Sequence, residues 1–271
     1  ILWVDPTNIF ALFQQALCFY YLNYDDDARS NFNHILDIDS QHYDSIYYLA
    51  LIEYESANYD LAIELFSELL LYNSKDSEVY NYLGELFYKK DNLKLALDSY
   101  ETSIKIDPYN SDIYYYLGII YEKLLNPNKA IKNYKQAVKM DNNNIDLIYR
   151  LGMIFYRQGE FKKSIEYLRR YVVSNYADKE VLEILAIILN KLDRFPESID
   201  IYKKLIELDN FNMSFYLKLA QLYWSLEDYQ ESKYYYNILL ENNIIDGEIF
   251  YYLGFIANHE REYDLAKYYL F

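Results

Sequence analysis

The sequence predicts an all-α protein, a solenoid of antiparallel helix hairpins, on three observations. The first is self-similarity. A ruler started at Ile9 and stepped by 34 residues reaches Tyr43, Ser77, Ser111, Ile145, Lys179, Met213 and Gly247 without an insertion. The second is that every 34-residue unit holds two stretches of helical apolar spacing. The third is a shortage of breakers: 6 Gly and 4 Pro in 271 residues leave room only for helices joined by short turns.

With the unit numbered from 1 to 34, positions 4, 7, 8 and 11 share one face of a first helix, and 17, 20, 21, 24 and 28 one face of a second. Position 8 is small throughout: Ala16, Ala50, Gly84, Gly118, Gly152, Ala186, Ala220, Gly254. Position 20 is Ala or Ser, from Ala28 to Ala266. Position 7 is Leu in every unit but the first, which has Gln15. Position 24 is large (Phe32, Phe66, Tyr100, Tyr134, Leu168, Tyr202, Tyr236, Leu270), and position 28 is aliphatic from Leu36 to Leu240. Small residues at 8 and 20 let the two helices approach, and the large ones fill the space around that contact. Turn formers near position 15 (Asn23, Asp91, Asn92, Gly159) part the two helices. Pairs such as Asp107-Pro108 and Asp141-Asn142 close the unit.

This pattern resembles the tetratricopeptide repeat along the whole chain: small residues at 8 and 20, Leu at 7, an aromatic at 24 and Pro near 32. Two features depart from it. The family's Trp at position 4 is here Leu, Ile, Tyr or Phe, and its small residue at 27 survives only as Ser103 and Ala137. The resemblance implies a right-handed superhelix, its first helices lining a concave groove and its second helices forming the back. The repeats then run 9–42, 43–76, 77–110, 111–144, 145–178, 179–212, 213–246 and a truncated 247–271, with 1–8 the end of a truncated preceding repeat. Ends cut through repeats and lacking polar caps are expected to expose apolar surface.

Composition bounds the function. A formal net charge of -16 works against nucleic acid and is compatible with a basic or amphipathic partner. No run approaches the roughly 20 apolar residues of a membrane helix, so no membrane insertion is expected, and no signal peptide is visible. The single Cys18 excludes an internal disulfide and reads as a small buried hydrophobe, which favours a cytoplasmic setting. His34, His42 and His259 fall in different units, away from any metal-spaced cluster. No nucleotide-binding or nucleophile motif occurs. The expectation is no enzyme, no metal and no cofactor. The 36 tyrosines accompany abundant Asn and Ile, as AT-biased codons also produce, so their number alone says little.

Positions 2, 5, 6, 9, 12 and 13 are not needed for the core, and in the family they face the groove. Position 2 is acidic in six units (Asp44, Glu78, Asp112, Asp146, Glu180, Glu248), and position 13 is basic in four (Lys89, Lys123, Arg157, Lys191). These are either rims of a binding surface or complements to helix dipoles. Between them lie Tyr47, Tyr48, Tyr82, Tyr115, Tyr116, Tyr149, Tyr156, Tyr251 and Tyr252, a residue type suited to recognition. Unit 145–178 is net basic, and its Arg150 and Arg157 either anchor a partner's carboxylate or pair with neighbouring acidic positions such as Asp112 or Glu122. The candidate partner-binding set is Tyr82, Lys89, Tyr115, Tyr116, Lys123, Tyr149, Arg150, Tyr156 and Arg157. Truncating Tyr116 or Arg150 is expected to weaken binding with little change in melting temperature, and Arg169, on the back, serves as control.

Two roles known in the family are not supported. A carboxylate clamp needs Lys and Asn where this chain has Phe13, Leu17, Tyr47 and Leu51, and the Asn ladder of sugar-transferring relatives needs Asn at position 6. The leading expectation is a scaffold that binds a peptide segment or helix of another protein. The alternatives are a regulatory or substrate-recruiting region of a larger enzyme, and a solenoid that self-associates through uncapped ends.

Overall fold

The computed structural model describes residues 5–270 and contains, among them, sixteen helices and no strand. The first helix of each hairpin starts at position 1 of the ruler: α1 (Ile9–Tyr21), α3 (Tyr43–Glu55), α5 (Ser77–Lys89), α7 (Ser111–Lys123), α9 (Ile145–Arg157), α11 (Lys179–Lys191), α13 (Met213–Ser225) and α15 (Gly247–His259). The second starts at position 17: α2 (Asp25–Ile38), α4 (Tyr59–Tyr72), α6 (Leu93–Ile106), α8 (Pro127–Met140), α10 (Phe161–Ser174), α12 (Phe195–Leu208), α14 (Tyr229–Glu241) and α16 (Tyr263–Leu270). Residues 1–4 and 271 lie outside the described residues, so the reading of 1–8 as a repeat tail concerns a segment described only from residue 5.

Local chemistry sets these boundaries. Position 34 caps every first helix: the side chains of Asn8, His42, Asp76, Asn110, Asn144, Asp178, Asn212 and Asp246 each accept from an N–H two or three residues on. Every first helix ends in a left-handed residue at position 15, with φ between 55° and 74°. The N–H of position 16 then donates to the carbonyl of position 11, as Tyr24 does to Phe19 (2.9 Å) and Asn126 to Tyr121 (2.8 Å). Gly159 adopts this conformation freely. Ala57, Leu125, Glu227 and Arg261 adopt it against a Cβ penalty of roughly 1 kcal/mol.

The chain divides into two compact units, residues 1–143 and 144–271. In the first, Leu49 and Ile52 pack on Leu12, Ala16, Phe32 and Ile35. Val79, Leu83 and Leu86 pack on Ala50, Phe66 and Leu69, and Ile113, Leu117 and Ile120 on Ala96 and Tyr100. The second unit repeats the arrangement. Val181, Leu185 and Ile188 meet Met153, Ile165 and Leu168; Phe215, Leu219 and Leu222 meet Ala186, Tyr202 and Leu205. Ile249 and Leu253 meet Ala220, Tyr236 and Leu239. Positions 3, 7 and 10 of one hairpin therefore close over positions 8, 20, 24 and 27 of the hairpin before it. Each buried side chain at 24 contributes roughly 1.5–3 kcal/mol of hydrophobic stabilisation.

Three expectations change here. Positions 3 and 10 belong to the core although the expected faces omitted them. Position 28 is only half-buried, because 27 carries the inter-hairpin contact. Cys18, read as buried, is exposed. It occupies position 10 of α1, the first helix described, which presents Ala11, Gln15 and Cys18 where later first helices bury apolar side chains against a preceding hairpin.

The close approach at positions 8 and 20 is real. A Cβ at Gly84, Gly118, Gly152 or Gly254 would lie within 2.7 Å of the side chain at position 24 of its own hairpin. Ser164, Ser198 and Ser232, at position 20, donate to the carbonyl oxygens of Gly152, Ala186 and Ala220 at 2.9, 2.9 and 3.0 Å. Their hydroxyls are thereby satisfied inside the hairpin.

Candidate functional site

The first helices carry an aromatic ladder. In the unit of residues 5–143, position 6 of one hairpin lies flat on position 24 of the hairpin before it. Tyr48 stacks on Phe32 (5.6 Å, 7°), Tyr82 on Phe66 (5.0 Å, 6°) and Tyr116 on Tyr100 (5.7 Å, 3°). Position 12 then flanks position 6: Tyr20 lies 5.3 Å from Tyr48, Tyr54 5.6 Å from Tyr82, and Tyr88 5.7 Å from Tyr116. Phe32, Phe66 and Tyr100 are fully buried, whereas the rings laid on them are half-buried. Position 6 thus seals the hairpin junction with one ring face and leaves part of the ring accessible. This corrects the expectation for Tyr116, whose truncation would uncover Tyr100 and cost stability as well as contact area.

The hydroxyls reach carboxylates of the next hairpin. Tyr20 donates to Glu55 (3.0 Å), and Tyr54 to Glu85. Burial first, and then the hydrogen-bonded carboxylate, raises both phenols above their ordinary range. Tyr48 is pushed up to about 12 by its hydroxyl contact with Tyr21 and by burial. The Tyr20 and Tyr54 hydroxyls thus stay protonated at neutral pH and act as donors.

Five candidates lie in this unit. Tyr82 and Tyr116 are ladder rings. Tyr115 is half-buried, edge-on to Tyr116 at 5.4 Å. Lys89 closes α5, with Nζ 5.1 Å from the Tyr54 ring centre and 3.4 Å from Glu85. Lys123 closes α7, 4.7 Å from the Tyr88 ring centre and 3.5 Å from Asp91. Both lysines sit in the last helical turn and are engaged within the chain, which favours the helix-dipole reading of the basic position.

The other four lie in residues 144–270. Tyr149 packs against Tyr171 (5.2 Å) and Tyr156 against Phe161 (6.4 Å). Arg150 pairs with Asp146 at 2.7 Å, one turn back on its own helix. Arg157 closes α9 and is exposed. Burial first, and then the carboxylates of Glu180 and Asp178, raise the Tyr149 phenol, while Arg157 and Arg150 oppose that rise. Arg169, the intended control, pairs with Glu197.

A denser cluster, absent from the candidate set, lies on α13, α14 and α15. Trp224 lies 4.6 Å from Tyr252, 4.9 Å from Phe255 and 5.2 Å from Tyr229, and Tyr229 lies 5.0 Å from His259. Tyr252 stacks on Tyr236 (5.4 Å, 13°) in the ladder register, while Tyr251 and Phe255 are exposed. The signal was in the sequence, since position 12 is aromatic at Tyr20, Tyr54, Tyr88, Tyr156 and Trp224. On the second-helix side a cavity of about 490 Å³ opens among Ile104, Tyr114, Leu117, Lys129 and Lys132.

Known proteins share this architecture. Tetratricopeptide repeat models match residues 84–124 and 128–159, 149–212, and 214–242. No curated protein sequence matches the chain. YrrB, a tetratricopeptide repeat protein with an unusual peptide-binding site, is similar with a TM-score of 0.58 at 16% identity, over 68% of this chain and 95% of that one. A tetratricopeptide repeat protein from Parabacteroides merdae gives 0.57 at 11% identity, over 96% and 98%. A chain of the Naa15/Naa10 complex bound to HypK-THB gives 0.63 at 16%, over 92% of this chain and 39% of that one. At these identities the likeness concerns the fold alone. The matched repeats, the 34-residue hairpins and their junction chemistry agree, and the chain belongs to the tetratricopeptide repeat family.

Proposed function

We propose that the chain is a non-catalytic scaffold that docks a peptide segment or helix of a partner protein on its first-helix surface. The observation that carries this is the ladder, in which each junction ring gives one face to the core and keeps part of itself accessible. Tyr gives a large amphipathic contact area at low entropy cost, and aromatic residues dominate interface energetics.

The test is capture of a partner with the whole chain as bait, followed by single substitutions. Tyr251→Ala and Phe255→Ala, both at exposed rings, should weaken the captured complex about tenfold with the helical circular-dichroism signal retained. Glu64→Ala, on the exposed side of α4, should bind as the parent does. Loss with Glu64→Ala and retention with both ring variants would place docking on the second helices.

A further inference from the structure

We propose that the surface of α1 and α3 seats a Lys or Arg side chain of a basic partner segment, held over Tyr20 and Tyr21 and paired with Glu55. This rests on the reading of the first-helix surface as the docking face and names the chemistry of its occupant.

The repeat itself supplies the precedent. Tyr54 and Tyr88, both at position 12, are each covered by a cation from position 13 of the next hairpin, Lys89 at 5.1 Å and Lys123 at 4.7 Å. At the first junction the equivalent pair is Tyr20 and Glu55. The residue that elsewhere brings the chain's own ammonium group is here a carboxylate, and it accepts the Tyr20 hydroxyl at 3.0 Å. Among the described residues no Lys or Arg pairs with Glu55, which is exposed. Tyr21 stands beside this slot, 5.4 Å from Tyr20, with its hydroxyl 3.4 Å from that of Tyr48, and is itself exposed. Tyr20, Tyr21 and Glu55 therefore stand together at a junction whose counterpart holds an ammonium group over the position-12 ring in the next two hairpins.

Charge selects the same occupant. Residues 9–76 carry twelve carboxylates against Arg29 and Lys75 alone, and Arg29 is held by Asp26 and Glu53. Over α3, α5 and α7 the groove positions hold Asp44, Glu55, Glu78, Glu85, Asp112 and Glu122, against Lys89 and Lys123, both already engaged. A cationic segment is steered to such a surface and gains both ring and carboxylate contacts there.

The experiment measures fluorescence anisotropy of a fluorescein-labelled peptide of repeated Gly-Arg-Lys on the whole chain, at about 100 mM salt to limit diffuse attraction. Its acidic counterpart, Gly-Glu-Asp, serves as reference. The wild type should bind the basic peptide at least tenfold more tightly than the acidic one. Glu55→Lys, which fills the slot as Lys89 and Lys123 fill theirs, should weaken binding at least tenfold. Glu55→Gln and Tyr21→Ala should each weaken it severalfold. Glu64→Lys makes the same charge change on α4 and should stay within about twofold. Equal losses for Glu55→Lys and Glu64→Lys, or no preference for the basic peptide, would overturn the proposal. The captured partner separates the two readings. If Tyr251→Ala weakens its complex while Glu55→Lys leaves it intact or tighter, the docking face stands and the cationic occupant falls. If it survives every first-helix substitution, the docking face falls.

Discussion

A methyl group added at Gly118 would sit 2.2 Å from Cε1 and 2.4 Å from Cδ1 of Tyr134, against a normal carbon separation of roughly 3.5–4.0 Å. The ring cannot simply swing aside. It is fully buried, and its hydroxyl donates to Glu122 at 2.6 Å. Gly118→Ala gains roughly 0.5–1 kcal/mol of helix preference but meets an overpacking penalty of about 1–3 kcal/mol, so a net loss of about 1–2 kcal/mol is expected. Gly118→Leu should lose more. Gly247→Ala is the matched substitution, since nothing lies within 4 Å of its Cβ position and it opens α15. It should be neutral or slightly stabilising. Urea melts followed by circular dichroism, compared by midpoint, measure both. Equal midpoints for Gly118→Ala and Gly247→Ala would refute the close contact between positions 8 and 24.

Three further outcomes follow from the same geometry. Leu125→Gly should raise the urea midpoint by the equivalent of about 0.5–1 kcal/mol, because Leu125 holds φ 55° and is 88% exposed. Tyr100→Phe should be neutral or stabilising in the same melts, since the Tyr100 hydroxyl is buried without a partner, whereas Tyr134→Phe should cost about 1 kcal/mol by removing the bond to Glu122. Thermal melts across pH should show stability falling above pH 10. The phenols of Tyr48, Tyr121 and Tyr171 rise from 10.0 to about 12 on folding, so their contribution is complete below pH 10 and is lost as the pH climbs through about 12.

Position-by-position periodicity carried most of the architecture, because the residues that make one hairpin contact lie within one unit. Gly118 and Tyr134 illustrate this: a small residue at 8 and a large one at 24 are complementary, and both recur every 34 residues. Capping at position 34 was equally open to reading, since seven of its eight residues are Asn or Asp. The turn at position 15 was legible at Asn23, Asp91 and Gly159 but not at Leu125 and Arg261, which are poor residues for a left-handed conformation and are held there by the helices on either side. The ladder was legible only in part. That Tyr82 and Tyr116 face the groove follows from helical spacing. That each also rests on a buried ring of the preceding hairpin depends on how hairpins stack, and no local pattern encodes that distance. The second role of Lys89 and Lys123, lying over Tyr54 and Tyr88, was hidden for the same reason.

The most direct test of the docking surface is amide hydrogen exchange on the whole chain, with and without its captured partner. Partner contact should slow exchange along the exposed sides of first helices such as α3, α5 and α15, and leave the outer faces of α4, α6 and α8 unchanged. Protection confined to second helices, around the cavity between Ile104 and Lys132, would contradict the account.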